Sequence, residues 1–102
     1  MLGSPASLHG RSLAHAELDR KADLCWGVLG QAEERAASAP GSVVFVQLVH
    51  RAIDLLDEID EILVSLNVSR RHATFVRAAE LHRRLEVALS RVPKALRSSL
   101  RR

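Results

Sequence analysis

An all-α fold, an up-down-up bundle of three long helices, is what this sequence predicts, and three observations lead there. Residues Val43 to Leu66 (VVFVQLVHRAIDLLDEIDEILVSL) run without Gly or Pro, and their apolar residues recur in steps of three and four, the spacing of one helix face. Segments of similar length at about 12–37 and 70–92 carry the same spacing. The breaks between the three are short, and short connections place successive helices antiparallel. A chain of 102 residues suits one domain. Aromatics make up only 3%, so the core has to be built from Leu, Val, Ile and Ala.

Residues 1–11 (MLGSPASLHGR) are rich in Gly, Ser and Pro without period and read as a mobile tail. They lack the apolar core of a signal peptide. Ser12 is the candidate N-cap of the first helix, since its hydroxyl can accept an orphan amide there. The inward stripe of that helix is Ala14, Leu18, Ala22, Cys25, Leu29, Ala32 and Ala36, all small or medium, so neighbours can approach closely. Gly27 and Gly30 each cost a helix about 0.8–1.0 kcal/mol relative to Ala, which calls for close packing or a kink as the reason. Trp26 is offset from the small stripe and reads either as closing the bundle end-on or as an interface anchor, because Trp is enriched at binding hot spots.

Ser38-Ala39-Pro40-Gly41-Ser42 ends the first helix, and Ser42 caps the second. In the second, Phe45, Leu48, Ala52, Leu55, Ile59, Ile62 and Leu66 form the stripe, widened by Val49, Leu56 and Leu63. A stripe this wide fits a bundle core with more than one neighbour. Asn67 can close the helix in the left-handed region, and Ser69 can cap the third. The third helix turns Phe75, Ala78, Leu81, Leu85, Ala88, Leu89 and Val92 inward. Pro93 ends it and can open a short turn, ahead of a basic tail over 93–102.

Charge is unevenly distributed. Residues 1–66 carry a net −5 and residues 67–102 a net +8, which together make the +3 of the whole chain. Asp54, Asp57, Glu58 and Glu61 form an acidic stripe, and Arg70, Arg77, Arg84 and Arg91 a basic one. In an antiparallel hairpin turning at Asn67–Ser69, Arg77 is expected near Glu58 and Glu61, and Arg84 near Asp54, each exposed pair contributing about 0.2–1 kcal/mol. The alternative leaves Arg70, Arg71, Arg83, Arg84 and Arg91 free to bind an anionic partner such as nucleic acid. Few rings are present for base stacking, and no recognisable helix-turn-helix is found.

No metal or cofactor is expected. The acidic stripe lacks the turning backbone and bend glycine of a calcium loop, and the Glu-x-x-His of di-iron bundles is absent. Cys25 is the only cysteine, so no intramolecular disulfide forms, a reducing intracellular compartment is favoured, and a buried thiol is its expected state. No run approaches a membrane span. His82 falls on the apolar stripe of the third helix, where a partly buried structural role is the default. The run Arg77-Ala78-Ala79-Glu80-Leu81-His82 spells R-x4-H and resembles the motif of the HEPN helical ribonucleases. That resemblance, over six residues, implies an Arg77–His82 pair acting on a phosphodiester across a dimer. Ala78 stands where that motif often has a polar residue.

The favoured functional expectation is a non-enzymatic interaction module: a subunit, adaptor or small chaperone that completes its core by association with itself or a helical partner, with no small-molecule substrate. Val43, Val44, Val46, Ile53, Val76 and Val87 lie off the main stripes, and a three-helix monomer would leave some exposed, as interfaces do. The expected partner-binding residues are Trp26, Gly27, Gly30, Val44 and Ile53.

Overall fold

Capping chemistry sets where the helices begin and end. The computed structural model describes residues 5–39, 41–67 and 71–97, in which α1 spans Pro5–Ser38, α2 Val43–Leu66, α3 Ala73–Ser90 and the single turn α4 Lys94–Arg97. Ser42 holds extended backbone and its Oγ accepts the Phe45 N–H at 3.1 Å, which starts α2 where a serine cap should. Asn67 closes α2 at φ 52°, ψ 48°, with its N–H on the carbonyls of Leu63 and Val64. Asn tolerates this left-handed geometry better than most residues.

Three boundaries differ from expectation. First, α1 begins at Pro5 rather than at Ser12, so much of the expected tail is helical and Ser12 is an internal residue. Proline suits a first helical position because its φ is preset and its missing N–H has no intrahelical partner to lose. Second, α3 spans Ala73–Ser90 rather than 70–92. Its N-cap is His72, whose Nδ1 accepts the Thr74 N–H at 3.2 Å; Ser69, the expected cap, lies outside the described residues. Third, part of the expected basic tail is structured. The Leu96 N–H returns to Pro93 O at 2.9 Å, and Arg97 donates from Nε to Val92 O and from Nη2 to Ser90 O, both at 3.0 Å. The bond to Ser90 satisfies the last carbonyl of α3, which has no partner within the helix, and the other two tie the turn that follows it.

The three long helices form an up-down-up bundle, each packed on the other two. Antiparallel α1 and α2 meet where Lys21 reaches Glu58 and the Cys25 thiol faces Ala52 O. Antiparallel α2 and α3 meet at Asp60 and His82. Parallel α1 and α3 meet at Asp23 with Arg77 and Glu33 with Arg84. The core holds Leu18, Ala22, Cys25, Leu29, Ala32 and Ala36 of α1, the expected α2 stripe apart from half-buried Leu48 and Ile62, and Ala78, Leu81, Leu85, Ala88 and Val92. Burial pushes the Cys25 thiol up to about 11, against a smaller opposing pull from the positive charge of Arg84. At neutral pH it is therefore an unionised thiol.

Val46 and Ile53 are not left bare by the three-helix arrangement. Both are half-buried and pack on the chain's own core, because the buried face of α2 extends around toward α3. Val43, Val44, Val76 and Val87 remain exposed. Among the described residues no helix is long and apolar enough to cross a membrane.

Candidate interaction surfaces

Arg77 and Arg84 of α3 turn toward α1, not α2. Trp26, Gly30 and Glu33 lie at i, i+4 and i+7 on α1 and share one face. Arg84 crosses that face: its Nε and Nη2 hold the two Glu33 carboxylate oxygens at 3.0 and 2.8 Å, and its guanidinium lies 4.4 Å from the Trp26 ring centroid. Arg77 pairs with Asp23 and lies 5.8 Å from the same ring. The expected lacing of Arg77 with Glu58 and Glu61, and of Arg84 with Asp54, is thus overturned. Glu58 instead meets Lys21 of α1 at 3.2 Å, and Asp54 meets His50 of its own helix at 3.3 Å. The acidic stripe flanks the α1–α2 groove, whereas Arg77 and Arg84 of the basic stripe sit on the far side of α1.

Trp26 is 43% exposed, with the two guanidinium groups over its ring. Gly30 lies beneath Arg84: a methyl group there would meet Nη2 at 3.9 Å, an ordinary contact, and one at Gly27 would meet nothing within 4 Å. Neither glycine is required by the packing of this chain. Gly27→Ala should therefore stabilise the isolated chain by about 0.8–1.0 kcal/mol, raising its melting temperature by roughly 4–8 °C. A thermal melt by circular dichroism checks this; a lowered midpoint would mean that the Gly27 face is covered by another chain.

The α2–α3 seam has a different character. Leu63, Phe75, Ala78 and Ala79 line a groove of about 360 Å³, with Asp60 and His82 facing each other across it. His82 Nε2 lies 3.0 and 2.9 Å from the two Asp60 oxygens. His82 is exposed, not partly buried on the apolar stripe as expected, because its position at the edge of that stripe brings it to the seam beside Asp60. Phe75 is half-buried and forms the aromatic part of the groove. Glu86 lies one turn beyond His82 on α3 and is exposed. The groove is apolar at its base with a carboxylate beside it.

The remaining candidates are dispersed. Arg83 pairs with Glu80 one turn earlier and is largely exposed, whereas Arg84 is mostly buried and committed to Glu33. Arg71 is exposed before α3 and Arg91 at its end; Arg70 lies outside the described residues. Val44 is exposed in the first turn of α2, far along that helix from the groove. Arg77 faces α1 while His82 faces α2, so the R-x4-H pair does not converge within one chain. Among the described residues no group of three His, Cys, Asp or Glu side chains could hold a metal ion. Sequence reasoning missed Asp23 and Glu33 as arginine partners, although Glu33 is one heptad from Trp26, and missed Asp60 and Ala79 as groove walls. No family model, curated protein or solved structure matches this chain.

Proposed function

We propose that the chain is a non-enzymatic interaction module whose α2–α3 groove receives an amphipathic segment carrying basic residues. The observation that carries this reading is the groove itself: half-buried Phe75, with Leu63, Ala78 and Ala79, forms an apolar base beside the carboxylate of Asp60, with exposed Glu86 one turn further along α3. An apolar groove takes the apolar stripe of a helix, and carboxylates beside it select basic flanks and set register. The nucleic-acid alternative has less support, since Arg77, Arg83 and Arg84 are each paired with a carboxylate of their own chain.

The test uses a fluorescent peptide with leucines at i and i+4 and lysines on its flanks, titrated with the chain by fluorescence anisotropy. Binding should weaken as salt rises. Ala79 is exposed on the groove wall, so Ala79→Arg adds bulk and like charge without disturbing the core, and should weaken binding at least about tenfold, equivalent to ~1.4 kcal/mol. Equal affinity for parent and Ala79→Arg, or no binding at all, would reject the groove as the site.

A further inference from the structure

We infer that the start of α3 is an acid-sensitive joint, in which the hydrogen bond that caps the helix and a proton on the capping ring exclude each other. The cap is the side chain of His72, whose Nδ1 accepts the Thr74 N–H at 3.2 Å. Because the amide can only donate, Nδ1 has to offer a free lone pair, and the proton of the neutral ring sits on Nε2. A protonated imidazole donates from both nitrogens and accepts at neither. Histidine is the side chain whose charge ordinarily changes between about pH 5 and 8. The Ser, Thr, Asn and Asp that usually cap a helix keep an acceptor oxygen throughout that range.

The surroundings of His72 offer a positive ring little compensation. Its charge would stand at the positive end of the α3 dipole, where anions are favoured and cations are not. Across the α1–α3 seam the His15 ring lies 5.9 Å away, centroid to centroid, so two protonated rings would repel. Arg71 precedes His72, and the last turn of α2, Leu63 to Leu66, carries no charged side chain. Arg77, further along α3, is held by Asp23. The acid one turn beyond His15 on α1, Asp19, is exposed and among the described residues bonds to neither ring. His50 and His82 are placed the other way, against Asp54 and Asp60, where a positive ring meets an opposite charge.

The turn that this cap holds is part of the groove. Thr74 is buried, and Phe75, which follows it, forms the aromatic part of the α2–α3 groove. With the cap lost, the Thr74 amide has no acceptor in partly buried surroundings, which costs free energy, and the first turn of α3 has one tie fewer to keep Phe75 in place. Mild acid therefore loosens this end of the groove. That consequence, unlike the joint itself, rests on the groove reading above.

The experiment compares the full-length parent with His72→Asn, whose side-chain oxygen caps a helix without titrating. Nitrogen NMR of the imidazole rings at about pH 8 should show His72 with its proton on Nε2. On titration to about pH 5 the Thr74 amide resonance should move with the same midpoint as the His72 ring. In His72→Asn that amide should lose most of its movement. Thermal melts read the energetics: between about pH 8 and 5 the gap between His72→Asn and parent should widen by roughly 4–8 °C, the shift a cap contributes in a chain of this size. His50 and His82 are present in both proteins, so their titration cancels from the difference. A proton on Nδ1 in the neutral ring, a Thr74 amide that ignores the His72 titration, or a gap that stays constant with pH would each overturn the inference. The leucine–lysine peptide tests the consequence for the groove separately. Over the same drop in pH its affinity should fall at least about threefold more for the parent than for His72→Asn, and an equal fall would overturn the link between cap and groove. Binding to neither protein at any pH would sink the groove reading, while the joint stands or falls on the resonances and the melts.

Discussion

Replacing Ile59 with aspartate is expected to unfold the chain. Ile59 is fully buried at the middle of α2, on the face that meets both other helices. A carboxylate at this position either remains charged without a partner or takes up a proton at a cost in free energy. Either route costs several kcal/mol, against a total stability of about 5–15 kcal/mol for a domain. The change in helix propensity from Ile to Asp is well under ~1 kcal/mol, so the effect reports burial and not local helicity. Ile59→Val, which only shortens the side chain, should cost about 0.5–1.5 kcal/mol and leave a cooperative melt. Far-ultraviolet circular dichroism at 25 °C separates the two: helical signal lost in the aspartate variant, retained in the valine variant. A melt of Ile59→Asp superimposable on the parent would place this face in solvent and refute the bundle.

That face was legible in the sequence because core position depends on period, and period survives without knowledge of neighbours. The stripe of α2 and its two ends, Ser42 and Asn67, coincide with the structure because each end carries its own local chemistry. The start of α3 was less legible because a histidine side chain does the capping at His72, a role the preferred cap residues usually fill. The start of α1 was misplaced because Gly, Ser and Pro read as loop, although Pro5 is well suited to a first helical turn. The assignment of arginines to partners failed for a different reason. On α3, Leu81 and Leu85 face the core, with Arg77 and Arg84 on one flank and Phe75 and His82 on the other. A heptad pattern defines these flanks but not which neighbour each one meets. Two arrangements of opposite hand place α1 on either side of the α2–α3 hairpin, and they exchange the partners of the two flanks. Chain order favoured α2 as the arginines' partner, whereas the bundle places α1 beside them. The groove around Phe75 went unread with it, because it is the consequence of the other flank facing α2.

Arg84 is where that hand is recorded in the energetics, and Arg84→Ala should lower stability by about 2 kcal/mol. Its side chain is only 15% exposed, and Nη1 is buried with no hydrogen-bond partner among the described residues, so the guanidinium is held there against a desolvation cost. What offsets that cost is a two-pronged pair with Glu33 and a stack on Trp26. Hydrogen bonds to charged groups contribute about 1.5–3 kcal/mol, a range discounted here because the Glu33 side chain is 47% exposed to solvent. The cation–ring contact adds about 0.5–1 kcal/mol. Arg84→Lys keeps the charge but neither the fork nor the flat stacking surface, and should recover less than half of the loss. Acid should remove the Glu33 part of the effect. Hydrogen bonding from Arg84 holds the Glu33 carboxyl below its ordinary value of 4.5, against burial, which raises it. With the folded value the lower one, the unfolded chain binds more protons in the interval between them. The stabilisation is complete above the ordinary value and is lost as pH falls through the folded one. Urea melts of parent and Arg84→Ala from neutral pH to below 4.5 should therefore converge as the solution becomes acidic. A difference that stays constant across this range, or that is below about 0.5 kcal/mol at neutral pH, the range of ordinary surface substitutions, would show that the α1–α3 seam does not depend on this pair.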